Sequence, residues 1–450
     1  MKSLSNWFLG GFRHGIHPAY HKDETRSQPI RRLPFALRLI VPVLQHIGIP
    51  ARPVVRIGQE VVRGEVIAEA DGWMSVPVHA PATGVVAAIE PMPSARGPRE
   101  LAIIIDVYEA DTQEVQDRIL RDVDRMSPER VIQAVWETGM AGLGGAAFPS
   151  HVKLEPHLHK VVDTLVVNGS ECEPYLTCDH RVMLERPDDL LRGVRLALRA
   201  TGAKRAIIGI EDNKRDAADA LWARLSPEDP ITVQLVESKY PQGSERMLLK
   251  SLLGVEIPVG GFPADVGVVV NNVGTLAEVG RLLPRGEGLI ERVVTVTGTA
   301  VAKPGNYIIP IGTPVGYVLE TLGIEADHEK IILGGPMMGT SIASLEVPVT
   351  KGTSGILVFH ERVAEQSADR QTYPCIKCGR CVQACPMLLN PAQLGWLAAK
   401  REFAQMEQEF YLNNCFECGC CSYVCPSNIP LVQQFRVAKA INRDLRERAS

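Results

Sequence analysis

Two stretches near the end of the chain concentrate its most specific chemistry. Nine of the 11 cysteines lie between Cys375 and Cys425. Eight of them repeat one spacing: Cys375-x2-Cys378-x2-Cys381-x3-Cys385-Pro386 and Cys415-x2-Cys418-x2-Cys421-x3-Cys425-Pro426. This is the C-x2-C-x2-C-x3-C-P spacing that holds paired [4Fe–4S] clusters. A tight loop can offer three thiolates to one face of a cubane, and the fourth must come from elsewhere, here from the other run. The spacing therefore assigns Cys375, Cys378, Cys381 and Cys425 to one cluster. It assigns Cys415, Cys418, Cys421 and Cys385 to the second. Zinc, held by Cys-x2-Cys pairs or Cys/His sets, is the competing reading, and the doubled run with both terminal prolines argues against it. Cys420 is out of register and reads as a spare thiol. Cys172 and Cys178 stand apart and read as inert thiols. A disulfide framework is out of place in a long chain without a secretory signature. Two clusters so close in sequence form a one-electron wire.

A second constellation lies upstream. Gly142-Leu143-Gly144-Gly145-Ala146-Ala147-Phe148-Pro149 follows a helix, not the strand of a dinucleotide fingerprint, so a flexible glycine loop is the plain alternative. Glycines lacking Cβ let backbone N–H groups close on a phosphate or a flat ring, and Lys153 offers a positive charge. Three polar stretches accompany the loop: Asn168-Gly169-Ser170-Glu171-Cys172-Glu173-Pro174, Tyr240-Pro241-Gln242-Gly243-Ser244-Glu245 and Asn271-Asn272-Val273-Gly274-Thr275. Each follows an apolar run. Alone, each is a turn or a helix cap, Ser244 and Thr275 being reasonable N-caps. Together they make one crevice.

The elements that must position these groups are legible. Residues 1–35 read as an irregular arm, with His14, His17 and His21 on a solvated or partner-facing surface. Residues 36–110 alternate Val/Ile pairs with glycine turns, a small β-barrel or sandwich. An acidic–basic helical stretch leads to Ser127-Pro128-Glu129, a capped helix start before Val131, Ile132, Val135 and Trp136. Within 125–290, strands over 165–167, 206–210, 232–236 and 266–270 alternate with helices over 188–200, 214–225, 245–253 and 276–283. Short apolar strands without polar alternation predict a parallel α/β layer, with ligands at the strands' carboxyl ends. Residues 291–350 read as a small β unit with one helix, and 365–435 as the cluster segment. The fold class is thus multidomain α/β.

The upstream constellation resembles the FMN- and NADH-binding subunit of respiratory complex I over about residues 130–345. The resemblance implies a Rossmann-like flavin domain holding non-covalent FMN with Gly142, Gly144, Gly145, Lys153, Asn168, Ser170, Glu171, Gly243, Asn271, Asn272 and Thr275. It implies nicotinamide nucleotide contacts near Phe148, Glu173 and Glu245, with Ser244 among the cofactor-binding residues. This sequence departs from that pattern at Leu143, Ala147 and Ser244, which stand where the pattern has an arginine, a glycine and an acid. Nearly end to end the chain also resembles the RnfC family, the C subunits of Rnf ferredoxin:NAD+ oxidoreductase complexes. The arm Gly10-Gly11-Phe-Arg-His-Gly15-Ile16-His17-Pro18, Val78-His79-Ala80-Pro81-Ala-Thr-Gly84, Gly334-Gly335-Pro336-Met337-Met338-Gly339 and Cys425-Pro426-Ser427-Asn428-Ile429-Pro430 carry that likeness.

What the resemblance implies is a lipoyl-like barrel-sandwich, a flavin domain, a β-grasp module and a two-cluster ferredoxin-like α-helical segment. The barrel hairpin Ala70–Val76 has no modifiable lysine, so it reads as scaffold rather than carrier. The implied chain is a peripheral subunit on the cytoplasmic face of the bacterial membrane, docked on integral membrane subunits and a ferredoxin-like subunit. It would exchange electrons with NAD(H) while ions cross the bilayer. A corrinoid reductase shares the flavin motif and the clusters but is expected to place its barrel after the ferredoxin part. A non-catalytic wiring scaffold is the rival of another class. No stretch nears the roughly 18–20 apolar residues of a membrane span, and a net charge of −4 gives no reason to expect nucleic acid.

Overall fold

A computed structural model describes residues 11–110, 112–115, 120–155, 160–324, 328–360 and 371–449. The first unit is a sandwich of two antiparallel sheets. One orders its strands Arg38–Pro42, Glu100–Val107, Gly84–Met92 and Glu60–Val61, the other Arg52–Pro53, Val66–Glu69 and Val78–His79. Alternating side chains, among them Leu39, Val41, Ile67, Val86, Ile103 and Ile105, fill the space between them. Of the expected linking helix, 111 and 116–119 lie outside the described residues. The rest of the link shows only a single 3-10 turn at Val123–Arg125.

The next helix, Pro128–Glu137, starts as its sequence requires. The Ser127 hydroxyl accepts from Arg130 N–H, and Gly139 leaves the helix at φ +68°. Four parallel strands follow, in the order Ile231–Val236, Arg205–Glu211, Thr164–Gly169, Val268–Asn272. Helices Pro187–Thr201, Arg215–Trp222, Glu245–Leu253 and Val273–Leu282 cover the faces, so the three strands Arg205–Glu211, Thr164–Gly169 and Val268–Asn272 are buried on both sides and lack polar alternation, while the edge strand Ile231–Val236 leaves Thr232 exposed. Helices Pro187–Thr201 and Val273–Leu282 cross backbone to backbone. A Cβ on Gly193 would lie 1.8 Å from Leu276 O, and one on Gly280 1.9 Å from Asp189 O.

The third unit is a six-stranded sheet ordered Arg31–Arg32, Gly305–Pro310, Glu291–Thr297, Gly355–His360, His328–Leu333, Thr340–Ile342, with helix Val315–Leu322 packed on it. It recruits chain from outside the span that its own sequence pattern marks. The arm supplies the edge strand Arg31–Arg32, and Gly355–His360 pairs in the middle of the sheet. Further contacts place the arm across the whole molecule. Phe12 and Ile16 are buried, Ile16 bridges Tyr240, Gly15 N–H donates to Ala384 O, and His21 stacks on Tyr175 at 4.7 Å. The arm is therefore irregular, as its Gly, His and Pro content predicts, with His14, His17 and His21 exposed, but it is packed as a strap.

Buried polar groups fix the units together. Glu291 accepts from Arg63 of the sandwich at 2.6 Å and from Arg32 of the arm at 2.9 and 3.0 Å. Lys351 spans the junction of three units, donating to Pro77 O and Gly139 O. Its desolvation lowers its pKa to about 7. The last unit is helical, with Pro391–Ala399, Phe403–Gln408 and Leu431–Ala449 closing on Leu394, Leu397, Met406, Leu412 and Phe435. Among the described residues no helix is long and apolar enough to cross a membrane.

Candidate functional site

The chain leaves the first strand of the parallel sheet, Thr164–Gly169, to build two neighbours on one side. It then returns to place the fourth strand, Val268–Asn272, on the other side. The carboxyl ends of these two adjacent strands are thus a topological switch point, with Asn168 opposite Asn272 in register. Loops diverging from a switch point leave a crevice, and this is where open α/β sheets bind ligands.

All four expected segments meet there. The glycine loop closes between paired residues Ala141 and Pro149, and its tip, Gly144 and Gly145, is exposed. A Cβ on Gly144 would sit 3.2 Å from Asn272 Cβ, so a side chain here would push the loop off the fourth strand. Leu143 N–H donates to the Thr275 hydroxyl at 2.9 Å, and Asn272 caps helix Val273–Leu282 by accepting from Thr275 N–H. On the other side, Asn168 Nδ2 donates to Gly243 O at 2.8 Å and Asn168 Oδ1 accepts from Ser170 N–H. Ser244 occupies the cap position of helix Glu245–Leu253 with its hydroxyl making no capping bond. Lys153 reaches Glu245 at 2.5 Å and Val270 O at 3.2 Å.

Two atoms in this cradle are conspicuous. Ser170 Oγ and Asn271 Nδ2 are buried without a hydrogen-bond partner among the described residues. A buried unpaired polar group costs about 1–3 kcal/mol unless something completes it. A planar ligand rich in carbonyl and ring-nitrogen acceptors would do so, which fits a flavin.

The acidic residues divide. Glu171 holds a left-handed φ of +47° and spends both carboxylate oxygens capping the helix Cys178–Glu185, through Asp179 N–H at 2.7 Å and His180 N–H at 3.1 Å. Asp179 titrates high because it is buried beside Glu171. Glu173 accepts from Met337 N–H and Met338 N–H at 3.0 and 2.8 Å. Burial pushes it up to about 7, against the pull of those two bonds. Phe148 and Glu245 stay half-buried at the rim.

The two cysteine loops are backbone duplicates. Lys377 and Glu417 take φ +56° and +62°, Gly379 and Gly419 +75° and +82°, and Leu388 and Asn428 +56° and +51°. In each loop an N–H two residues on donates to the first sulfur at 3.4 Å. The loops are sewn together end to start. Tyr373 N–H donates to Ser427 O and the Ser427 hydroxyl to Pro374 O, which sets Cys375 beside the stretch of chain that follows Cys425. Cys381 lies in the field of Cys378 and Cys425, and Cys421 in that of Cys415, Cys418 and Cys385. Burial pushes the Cys415 thiol up to about 11 and raises Cys385 and Cys421 as well. Three buried thiols and the half-buried Cys415, converging, are costly as bare thiolates. The iron of a cluster supplies the missing positive charge, so the donor set fits two cubanes with exchanged fourth ligands.

Some functional neighbours escape sequence reasoning. Tyr240, 1 % exposed, donates its hydroxyl to Cys418 O at 2.7 Å and so ties the crevice to one cysteine loop. Met337 packs against Gly419, and Cys172 Sγ accepts from Gly243 N–H at 3.3 Å. Lys22 and Lys214 sit beneath the Ser170–Glu171 turn. A single buried lysine or tyrosine carries no spacing signal, and only the fold sets these groups beside their partners.

A switch-point crevice of flavin-binding form, joined through a buried tyrosine to a doubled four-cysteine fold, defines a flavin and iron–sulfur electron-transfer protein. Known proteins agree. Residues 135–281 match the Nuo51 FMN-binding domain, 10–110 the RnfC barrel sandwich hybrid domain, 293–341 the SLBB domain and 371–429 the 4Fe-4S dicluster domain. The chain is 40% identical over 441 residues to the C subunit of a proton-translocating ferredoxin:NAD(+) oxidoreductase complex of Clostridium ljungdahlii, covering 98% of this chain and 96% of that one. It is 39% identical to the Na(+)-translocating counterpart of Acetobacterium woodii, with 86% of each covered. Against the C subunit of an ion-translocating oxidoreductase complex of Haemophilus influenzae it is 38% identical over 96% of its own length but spans only 65% of that relative. A solved chain of an NAD+-reducing [NiFe]-hydrogenase shares the fold at TM-score 0.53 and 20% identity, over 72% of this chain and 67% of that one. This chain belongs to the RnfC family, the C subunits of ion-translocating oxidoreductase complexes.

Proposed function

We propose that this chain carries electrons between NAD(H) and a ferredoxin-linked partner through FMN and two [4Fe–4S] clusters. In this reading it is a peripheral subunit on the cytoplasmic side of a membrane-bound, ion-translocating complex. The observation that carries the proposal is adjacency: the crevice with two unpaired buried donors abuts, through Tyr240, the cysteine tetrad that includes Cys418. FMN, once bound, supplies the conversion between two-electron hydride chemistry and one-electron transfer. The protein's residues have the remaining tasks. Ser170, Asn271, Asn272, Thr275 and the glycine loop with Gly142, Gly144 and Gly145 seat the ring system. Lys153, paired with Glu245, would offer its charge to the phosphate, and Phe148, Ser244 and Glu245 border the nucleotide's approach. No side chain is assigned as a proton donor, because hydride transfer requires none.

The cysteine geometry supports an order of clusters. The tetrad Cys385, Cys415, Cys418 and Cys421 is next to the crevice. Cys375 and Cys378 of the other tetrad are exposed. Around them no acid occurs from Gln371 to Arg401, while Lys377, Arg380, Lys400 and Arg401 do, with Ile376 and Leu388 exposed between them. An acidic iron–sulfur carrier or subunit suits that face.

Anaerobically reconstituted full-length chain tests the reading by iron, sulfide and flavin analysis with an NADH titration. Eight irons and one FMN per chain, with flavin bleaching followed by cluster reduction, are the expected results. Bound FMN that NADH never bleaches would remove the nicotinamide half. Zinc in place of iron would remove the whole.

A further inference from the structure

Two buried lysines sit behind the crevice rather than in it. Lys22, from the arm, is 8 % exposed, and Lys214, at the start of helix Arg215–Trp222, is 2 % exposed. They donate to adjacent carbonyls, Lys22 to Glu171 O at 2.5 Å and Lys214 to Ser170 O at 2.6 Å. Lys214 is balanced by Glu211 at 2.5 Å and also reaches Asn213 Oδ1. Glu171, Glu211 and Glu173 share the field of Lys22, yet Lys22 forms no ion pair among the described residues. Holding an ammonium there is expensive, so the site has a use for it.

That use follows from peptide geometry. A planar trans peptide points its N–H opposite to its C=O. With the Ser170 and Glu171 carbonyls turned onto the lysines, the N–H groups of Glu171 and Cys172 face away from them. Neither donates to a protein acceptor among the described residues. The left-handed Glu171, φ +47°, makes consecutive N–H groups converge as they do in anion-binding nests. The unpartnered Ser170 hydroxyl is on the same turn.

We propose that Lys22 and Lys214 are positioning residues for the flavin. They lock the Ser170–Cys172 turn so that two backbone N–H donors meet an electron-rich acceptor on the ring, and their charge favours the reduced cofactor over the oxidised one. The inference rests on the FMN reading above. Fixed donors and positive potential aimed where negative charge develops need no reorganisation when the electrons arrive.

The test compares wild type, Lys22→Met and Lys22→Arg as reconstituted full-length protein. It measures the midpoint potential of bound FMN and the dissociation constant of oxidised FMN. Lys22→Met is expected to lower the potential, equivalent to about a tenfold loss of preference for reduced over oxidised flavin. Lys22→Arg should recover most of it. A wild-type potential in Lys22→Met, or equal defects in Met and Arg, overturns the proposal. Should Lys22→Met not fold, Lys22→Gln, which keeps a donor without the charge, serves in its place. Failure of the wild type itself to bind FMN overturns the site reading instead, so the two failures are told apart.

Discussion

The two cysteine loops share a backbone and differ in their surroundings. Cys385, Cys418 and Cys421 are each 8 % exposed, closed in by Leu394, Val432, Phe435 and the crevice side of the molecule. Cys375 and Cys378 face solvent beside Ile376 and Lys377. The φ pattern repeats at Lys377 and Glu417, Gly379 and Gly419, and Leu388 and Asn428, so the two loops share one geometry, which suits wrapping the same kind of cluster. What the environment sets is everything else. A buried cubane is shielded from water and tuned by fixed dipoles. An exposed one keeps its potential open to whatever docks on it. One loop design thus yields an inner and an outer site, and the difference gives the wire a direction in space.

The sharpest way to break that comparison is to cross it. Cys385 lies in the first run but among the sulfurs of the second. Cys385→Ser should therefore abolish the inner cluster, remove half the iron and leave the outer signal in the EPR spectrum. Loss of the outer signal instead would mean that each run binds its own cluster. A smaller effect is expected at the exposed face. Lys377→Glu with Arg380→Glu should leave iron, flavin and NADH bleaching intact. Reduction of an acidic ferredoxin-type acceptor should slow about tenfold or more at low salt and converge on wild type at high salt, as screened charges do. Equal salt dependence in the two proteins would remove the outer face as the docking site.

Legibility divides along physical lines. The parallel strands and their helices are local apolar runs with caps, and helix Glu245–Leu253 sits where Ser244 and the periodicity put it. The doubled cysteine run is legible because a cubane tolerates few spacings. The arm is not, because a strap that buries Phe12, Ile16 and Lys22 through long-range contacts has no periodicity of its own. Nor are the backbone partners of Glu173. Its place in an acidic stretch points to a ligand, but Gly335 lets the Pro336–Met338 turn come close enough for two N–H groups to claim it, a Cβ there falling 2.3 Å from Glu173 Oε2. Tyr240 and Lys214 gain their meaning only from what the fold sets opposite them.

Glu173 offers a finer probe of the inner site, since it lies in the field of Cys418. Its folded pKa, about 7, exceeds that of an unfolded glutamate. The folded state then binds the extra proton between about pH 4.5 and 7, so stability from this group is full at the acid end of that window and lost as pH rises through 7. Glu173→Gln, which keeps one acceptor oxygen for the Met337 and Met338 N–H groups and cannot titrate, should flatten this slope. The expected difference is about tenfold in the folding equilibrium across the window, read by anaerobic denaturant titration at pH 5.5 and 7.5. A parallel slope in both proteins would mean that Glu173 is ionised throughout.

The smallest effect is expected at the link between crevice and wire. Tyr240→Phe deletes one hydroxyl and its 2.7 Å bond to Cys418 O, worth about 1 kcal/mol to the packing of the inner loop against the flavin domain. Iron and flavin content should be unchanged, because no ligand is removed. Loosening the contact should slow inner-cluster reduction by NADH severalfold in stopped-flow measurements while flavin bleaching keeps its rate. The same substitution should leave exchange between the outer cluster and an added acceptor untouched. If instead both phases slow together, Tyr240 orders the crevice itself, and the boundary between flavin site and inner cluster lies closer to the cysteines than the hydrogen bond implies.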